Sequence, residues 1–261
     1  AHDLQPLDSL PLDGSVADVL TDPRNGRILL LGWRPAELLA YDPSGLQLTG
    51  RLELGLGASA MALSDVGDRL YVVQRDSDNL VIVDNDAMQV VAIVPLTLAI
   101  DDLAVSGEAG RLLAASGGAG RVYAVADGQS IAWSIDGYPY RVEALSGGNG
   151  AAVLSRADGL LRLLDADGHV THSVPAGDLP DGLSLDPLAR SLYAGDVVLN
   201  LSSLATDTLR VPTIYQGTEP PRQVVYDTQR NRLYAVAFNG VPGSNGGYQA
   251  TRFGPSGADV G

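Results

Sequence analysis

The sequence predicts an all-β fold, and three observations lead to that class. Short apolar runs recur, each followed by a turn, in most cases an arginine, and a second apolar run. The first apolar anchors lie 40 to 43 residues apart, at Leu20, Leu63, Val105, Leu145, Leu185 and Tyr226. Each unit divides into about four such runs separated by turns rich in Asp, Asn and Gly. The final unit lacks a fourth run, and the N-terminus supplies a spare one. A period of about 40–45 residues with four strands is typical of a β-propeller blade.

Six blades of four antiparallel strands are predicted, forming a single domain over residues 1–261. One blade cannot bury both of its faces, so several must stack around an axis. The predicted blades cover approximately residues 15–56, 57–97, 98–138, 139–177, 178–215, and 216–254 together with 3–13.

The second unit shows the strand pattern most clearly. Residues 60–64 are small and apolar, which suits an inner strand crowded near the axis. The segments 69–73, 80–84 and 88–94 are rich in β-branched residues and follow turns of Asp, Asn and Gly. Together they predict an antiparallel meander.

The other units repeat this plan with recognisable second and third strands. We predict second strands that begin at Arg27, Arg111, Arg190 and Arg232. Third strands are predicted to begin at Leu38, Val122, Leu160 and Val197.

The two ends of the sequence are predicted to complete one blade together. Residues 4–14 resemble the fourth strand of the first unit, residues 46–55, and the last unit ends after a third strand at 248–253. Pairing of the N-terminal strand into the last blade would close the ring and remove an exposed sheet edge. Pro6 and Pro11 fit an outermost strand, where a missing N–H is harmless.

Composition excludes several classes of partner and chemistry. The formal net charge is −14 and every basic residue is Arg, so nucleic acid is not an expected partner. No apolar run approaches the length needed to cross a bilayer, so no membrane insertion is expected. The absence of Cys excludes disulfides, thiolate metal sites and cysteine nucleophiles.

Residues 69–84 of the second unit, RLYVVQRDSDNLVIVD, resemble the YVTN-type repeat of bacterial β-propellers. Arg232–Val236 and Arg190–Ala194 are similar to weaker copies of its first strand. The resemblance implies a bacterial, often exported propeller that acts as a binding or surface-associated module. Proteins of this type usually have seven blades, whereas the sequence predicts six. Propellers similar in shape with six blades include calcium-dependent phytases and lactonases.

Export is expected from the start of the sequence as well. The chain opens at Ala1-His2-Asp3 without an initiator Met, as a mature N-terminus left by signal-peptide cleavage would, although a trimmed chain would look the same. We therefore expect a secreted or periplasmic protein.

A ligand site is predicted at one mouth of the central channel, where the first strands begin. Alignment on the apolar anchors places charged and polar residues there. The predicted ligand-binding residues are Asp18, Asp101, Asp102, Arg141, Glu143, Asp181, Arg222 and Gln223. Converging carboxylates and guanidinium groups can bind a polar ligand or a cation. Alternatively, they pair with one another and with water and close the channel.

No catalytic residue is predicted. The turns 76–79 and 165–168 resemble calcium loops, but neither has the full spacing with a distal Glu, and a hairpin turn explains both. His169 and His172 are expected on opposite faces of an outer strand, so they cannot easily share a metal. With His2 they are the only histidines, and none is placed for a Ser-His-Asp triad.

The sequence thus predicts a non-enzymatic, exported bacterial propeller that binds a protein or a small polar ligand. No cofactor is predicted, and calcium is the one candidate that the sequence leaves open. It could be one domain of a larger protein. The alternatives are a calcium-dependent hydrolase of the phytase or lactonase kind, or an accessory propeller domain attached to one. The sequence does not indicate an oligomeric state.

Overall fold

A computed structural model describes most of the chain. It covers residues 4–12, 15–55, 57–106, 111–126, 129–145, 150–176, 182–185, 191–194, 197–208, 223–227, 232–239 and 247–255. These residues form antiparallel strands connected by turns, together with one short 3-10 turn at Arg75–Ser77. Within this part of the chain, no helix has the length and apolar character that a membrane crossing requires.

The strands follow one another in chain order. They are β1 (Leu4–Leu12), β2 (Ser15–Asp22), β3 (Arg27–Arg34), β4 (Glu37–Asp42), β5 (Gln47–Glu53), β6 (Ala58–Leu63), β7 (Arg69–Gln74), β8 (Asn79–Asp84), β9 (Gln89–Pro95), β10 (Asp102–Ser106), β11 (Arg111–Ser116), β12 (Arg121–Ala126), β13 (Gln129–Ser134), β14 (Pro139–Ala144), β15 (Ala151–Ser155), β16 (Leu160–Leu164), β17 (Val170–Pro175), β18 (Leu183–Leu185), β19 (Ser191–Ala194), β20 (Val197–Asn200), β21 (Thr206–Thr208), β22 (Gln223–Asp227), β23 (Arg232–Asn239) and β24 (Gly247–Pro255).

We use the word blade for a four-stranded sheet whose strands follow one another in the chain. The structure has five blades in this sense: β2–β5, β6–β9, β10–β13, β14–β17 and β18–β21. Each is an antiparallel meander, because short turns bring every strand back beside the preceding one.

The three remaining strands belong to a composite sheet with the order β1-β24-β23-β22. β1 pairs with β24 from Leu4 opposite Pro255 to Leu12 opposite Tyr248, which is the pairing expected for the N-terminal strand. The prediction of six blades is nevertheless wrong, because the structure has five blades. Five also differs from the seven blades usual for YVTN-type propellers. The physical reason is that β22–β24 provide only three consecutive strands, so their sheet takes its fourth strand from the other end of the sequence.

The first strand of each blade, and β22 of the composite sheet, lie at the centre of the ring. β2 contacts β6 and β22, β10 contacts β6 and β14, and β18 contacts β14 and β22. Apolar side chains fill the space between neighbouring sheets. Leu29, Leu38, Met61 and Leu70 pack between the first two blades, each with almost no exposure. Burial of such a side chain contributes about 1.5–3 kcal/mol, so the inter-blade layers supply most of the core.

A buried polar joint also connects the first two blades. Asp22, at the end of β2, is fully buried and accepts hydrogen bonds from Arg27 Nε at 2.9 Å and from Asn85 Nδ2 at 2.8 Å. Asn85, in the turn after β8, is also fully buried and donates to the carbonyl of Gly67 at 2.8 Å. Arg27 Nη2 in turn donates to Asn85 Oδ1 at 2.8 Å and to its backbone carbonyl. The joint therefore ties the turn between β2 and β3 to the second blade.

Candidate functional site

Three carboxyl side chains and one guanidinium group converge on a small cavity between the first strands. Asp18 lies on β2, Asp102 on β10, and Arg141 and Glu143 lie on β14. Together with Ser184 and other residues of the first strands, they enclose a volume of about 50 Å³. A water molecule occupies roughly 10–15 Å³ on this measure, so the axial cavity has room for a few waters or one small polar group.

The pairing register brings the two aspartates to one level of the ring. Asp18 lies opposite Leu31, and Asp102 lies opposite Ala115. Both partners follow by four residues the arginine that begins their strand, Arg27 or Arg111. The two carboxylates therefore occupy equivalent positions in the first and third blades.

Each aspartate also binds the backbone of the next first strand. Asp18 Oδ2 accepts a hydrogen bond from the Met61 N–H at 2.8 Å, and Asp102 Oδ2 accepts one from the Val142 N–H at 2.8 Å. The other oxygen of Asp102 lies 3.5 Å from Arg141 Nη1. The predicted alternative, in which these charges pair with one another, therefore describes part of the cluster: Asp102 has an ionic partner and both aspartates support the ring.

Glu143 differs from the two aspartates. Among the described residues, no hydrogen bond or ion pair reaches its carboxyl group, although it lines the same cavity. Burial, together with the negative charges of Asp102 and Asp18, raises its pKa to about 8. The cavity thus contains one carboxyl group that is protonated near neutral pH for want of a positive partner.

The two aspartates show the same effect to a smaller extent. Burial, partly offset by the guanidinium of Arg141, raises the pKa of Asp18 to about 6. Burial and the negative charge of Asp18, again partly offset by Arg141, raise the pKa of Asp102 to about 7. Desolvation is the main cause in each case, because the charged carboxylate loses more hydration free energy than its attraction to Arg141 restores.

The other predicted site residues are distributed differently. Asp101 does not line the cavity: it accepts a hydrogen bond from the Gly117 N–H at 2.7 Å and pairs with Arg75 at 3.3 Å. Asp181 and Arg222 lie outside the described residues, and Gln223 is described only as the first backbone position of β22. Sequence reasoning missed Gly182 and Ser184, which line the cavity with the charged residues.

A second cluster of potential metal ligands lies in the turn between β16 and β17. Asp165, Asp167 and His169 offer ligand atoms within 4.8 Å of one another, and within the described part of the chain no other such group of three exists. Asp165 Oδ1 accepts hydrogen bonds from the N–H groups of Asp167 at 3.0 Å and His169 at 2.9 Å. These bonds are those of a tight turn, so the predicted hairpin explains the cluster.

Comparison with known proteins identifies the fold. No protein-family model and no curated protein sequence matches the chain, so the YVTN resemblance is not confirmed. Kuenenia stuttgartiensis hydrazine synthase aligns with a TM-score of 0.66 at 15% identity, over 87% of this chain and 75% of that one. The Cps50 (Swd1) β-propeller domain of Myceliophteria thermophila aligns with a TM-score of 0.62 at 8% identity, over 97% of this chain and 100% of that one. The chain has a β-propeller fold. At these identities the likeness shows the fold alone.

The raised pKa of Glu143 predicts a pH dependence of stability. Between about pH 4.5 and 8 the folded protein retains a proton on Glu143 that the unfolded chain has lost. The free energy of unfolding should therefore fall as pH rises through this range, by up to about 1.4 kcal/mol per pH unit from this group. Denaturant titrations from pH 5 to 8.5 should show a smaller decline for Glu143→Gln.

Ser184→Ala is the matched control, because it changes the same cavity without removing a titrating group. Its stability should follow the wild-type pH profile. Parallel profiles for wild type and Glu143→Gln would contradict the assignment of this pH dependence to Glu143.

Proposed function

We propose that this propeller binds a small polar ligand through a positively charged group, such as an ammonium, in the axial cavity. The observation that carries the proposal is Glu143, a half-buried carboxyl group without a described partner, which lines the cavity with the half-buried Asp18 and the buried Asp102. Buried charges are normally paired, and an unpaired carboxyl group is a natural receptor for a cation.

The charge balance of the cavity supports a cationic ligand. Arg141 can neutralise one of the three carboxylates of Asp18, Asp102 and Glu143, so full ionisation would leave two negative charges in excess. The raised pKa values of all three show that this state is costly in the absence of a ligand. A cation would remove that cost, and its binding should release protons.

An organic cation fits the spacing better than a bare metal ion. The three carboxyl groups do not bring one oxygen each within 4.8 Å of one another. Calcium takes several oxygen ligands at 2.3–2.6 Å and would need these groups to move closer. An organic cation that carries N–H donors on separate atoms can instead reach oxygens that lie farther apart.

Binding rather than catalysis is proposed because of the chemistry of the lining. Among the described residues that line the cavity, Ser184 carries the one hydroxyl group and none is a histidine. A serine nucleophile needs an adjacent base. The bacterial, exported setting implied by the repeat resemblance stays a prediction.

Calorimetric titration with methylammonium, a panel of small primary amines and free amino acids would test the proposal. We expect at least one of these probes to bind, more tightly at pH 8.5 than at pH 6, with release of protons. Glu143→Gln should weaken that binding about tenfold or more, since it removes a charge-assisted hydrogen bond. Asp165→Asn, which alters the turn cluster outside the cavity, should leave the affinity unchanged.

Other outcomes would contradict the proposal in distinct ways. Binding abolished by Asp165→Asn and retained by Glu143→Gln would place the cation in the turn. Calcium binding that requires Glu143, with calcium-dependent hydrolysis of a phosphate ester or lactone, would favour the hydrolase alternative. Absence of binding by every probe would leave the cluster as a support of the ring.

A further inference from the structure

Among the outer strands whose side-chain exposure the structure describes, that of the second blade has the most apolar exposed edge. β9 carries no charged residue between Gln89 and Pro95. Val90, Val91, Ile93 and Val94 are exposed by 40%, 53%, 59% and 43%. The outer strands β5, β13 and β17 each expose one large apolar residue, at Leu48, Ile131 and Val170.

β9 also lacks a polar feature that two other outer strands share. A β-bulge leaves one unpaired residue in each of three outer strands: Thr49 in β5, Val91 in β9 and Thr171 in β17. The Thr49 hydroxyl donates to the carbonyl of Ala40 at 3.0 Å, and the Thr171 hydroxyl donates to that of Leu163 at 3.1 Å. Valine at the equivalent place can make no such bond, so β9 presents a methyl group where its counterparts have a hydroxyl.

We propose that β9 pairs antiparallel with β9 of a second copy of this chain, forming a two-fold symmetric dimer. Within the described residues β9 pairs with β8 alone, so the backbone groups of its outer side face away from the sheet. Unpaired groups at a sheet edge are a template for another strand. The occupant is therefore an extended segment with an apolar surface.

The sequence of β9 fits itself when it is reversed. A two-fold axis at Ala92 places Val91 opposite Ile93 and Val90 opposite Val94 of the second strand. Every large apolar side chain then meets another, and no charge is buried. This self-complementarity selects a second copy over an unrelated strand. The chain has a net charge of −14, but none of its charged residues lies in β9.

The bulge determines the character of the pair. Bulges disrupt the hydrogen-bond ladder locally, so apolar contact rather than the ladder should supply most of the stabilisation. A contact of one strand per copy is also smaller than a standard interface. We therefore expect a weak dimer that dissociates on dilution.

Sedimentation velocity over a range of protein concentrations would test the proposal with three variants. Wild type should shift from monomer to dimer as concentration rises. Val91→Thr restores the hydroxyl found in β5 and β17 and should raise the dissociation constant about tenfold or more. Ile93→Lys places a charge on the edge and should abolish the dimer. Ile131→Lys, an equally exposed position on β13, should behave as wild type.

Val91→Thr keeps the residue shape and should fold, which a thermal melt can verify. A wild type that stays monomeric at all concentrations would overturn the proposal. A dimer that survives Ile93→Lys, or that Ile131→Lys disrupts equally, would also overturn it by locating the contact elsewhere.

Discussion

Asp22→Ala is expected to lower the free energy of unfolding by about 3–5 kcal/mol, because it breaks a buried ion pair and leaves its partners behind. The Asp22 carboxylate is fully buried and accepts from Arg27 and Asn85. Without it, the guanidinium of Arg27, only 14% exposed, loses its anion. Asn85, itself fully buried, loses one of its acceptors. Since the joint spans two blades, the loss should also weaken their packing.

Asp86→Ala, in the turn after β8 beside Asn85, is the matched control. Asp86 pairs with Arg24 through Nη2 at 2.8 Å, a geometry as close as that of Asp22, but both side chains are about half exposed, at 46% and 45%. Exposed ion pairs contribute about 0–1 kcal/mol. In denaturant unfolding, the loss of unfolding free energy should therefore be several times larger for Asp22→Ala than for Asp86→Ala. Equal losses would show that the joint depends on the number of ion pairs rather than on burial.

The repeat pattern was sufficient to predict much of the architecture. The arginine at the start of most second strands marks the hairpin, and the apolar runs on either side mark strands because they alternate with turns of Asp, Asn and Gly. The spare N-terminal run predicted a pairing that the register of Leu4–Leu12 on β24 shows. The count of six anchors nevertheless overstated the number of blades, because only five sheets are made of four consecutive strands. Anchors report first strands, whereas a blade also needs its fourth.

The height of each cavity residue along the axis of the ring was harder to predict. Alignment on the apolar anchors placed Asp18 and Asp102 at different heights, but the structure places them at equivalent positions. The anchor Leu20 lies opposite Leu29, two residues after Arg27, whereas the anchor Val105 lies opposite Leu112, one residue after Arg111, so distances counted from the anchors are offset by one residue. Counting nine residues back from Arg27 and from Arg111 gives Asp18 and Asp102 directly. The arginines were therefore the better reference, because they sit at the register-defining end of each hairpin.

Contacts between blades left no signal in the repeat. Asn85 and Asp22 lie 63 residues apart, and their hydrogen bond depends on how two sheets stack rather than on either sheet alone. The bulge threonines of β5 and β17 and the bulge valine of β9 could not be predicted either, since a bulge becomes visible only when the strand pairing is known. Local propensity predicts strands, but tertiary packing determines which polar groups meet.

Gly168→Ala is expected to be the second strongly destabilising change, with a loss of about 3 kcal/mol or more from two separate causes. Gly168, in the turn between β16 and β17, has φ of +85°, a region that side chains disfavour. A Cβ atom there would also overlap the ring of Trp133, which is buried in the neighbouring blade. The indole is rigid and packed, so it cannot yield as a flexible chain end would.

Gly55→Ala separates the two causes. Gly55 has φ of +90°, but a Cβ atom there would meet nothing within 4 Å. Its loss should be about 1 kcal/mol, from backbone strain alone. The difference between the two variants then measures the contact with Trp133. Combining Gly168→Ala with Trp133→Leu should give a loss smaller than the sum of the single changes, since the shorter side chain leaves room for the new methyl group. Additive losses would mean that the strained turn, rather than the contact between blades, sets the requirement for glycine.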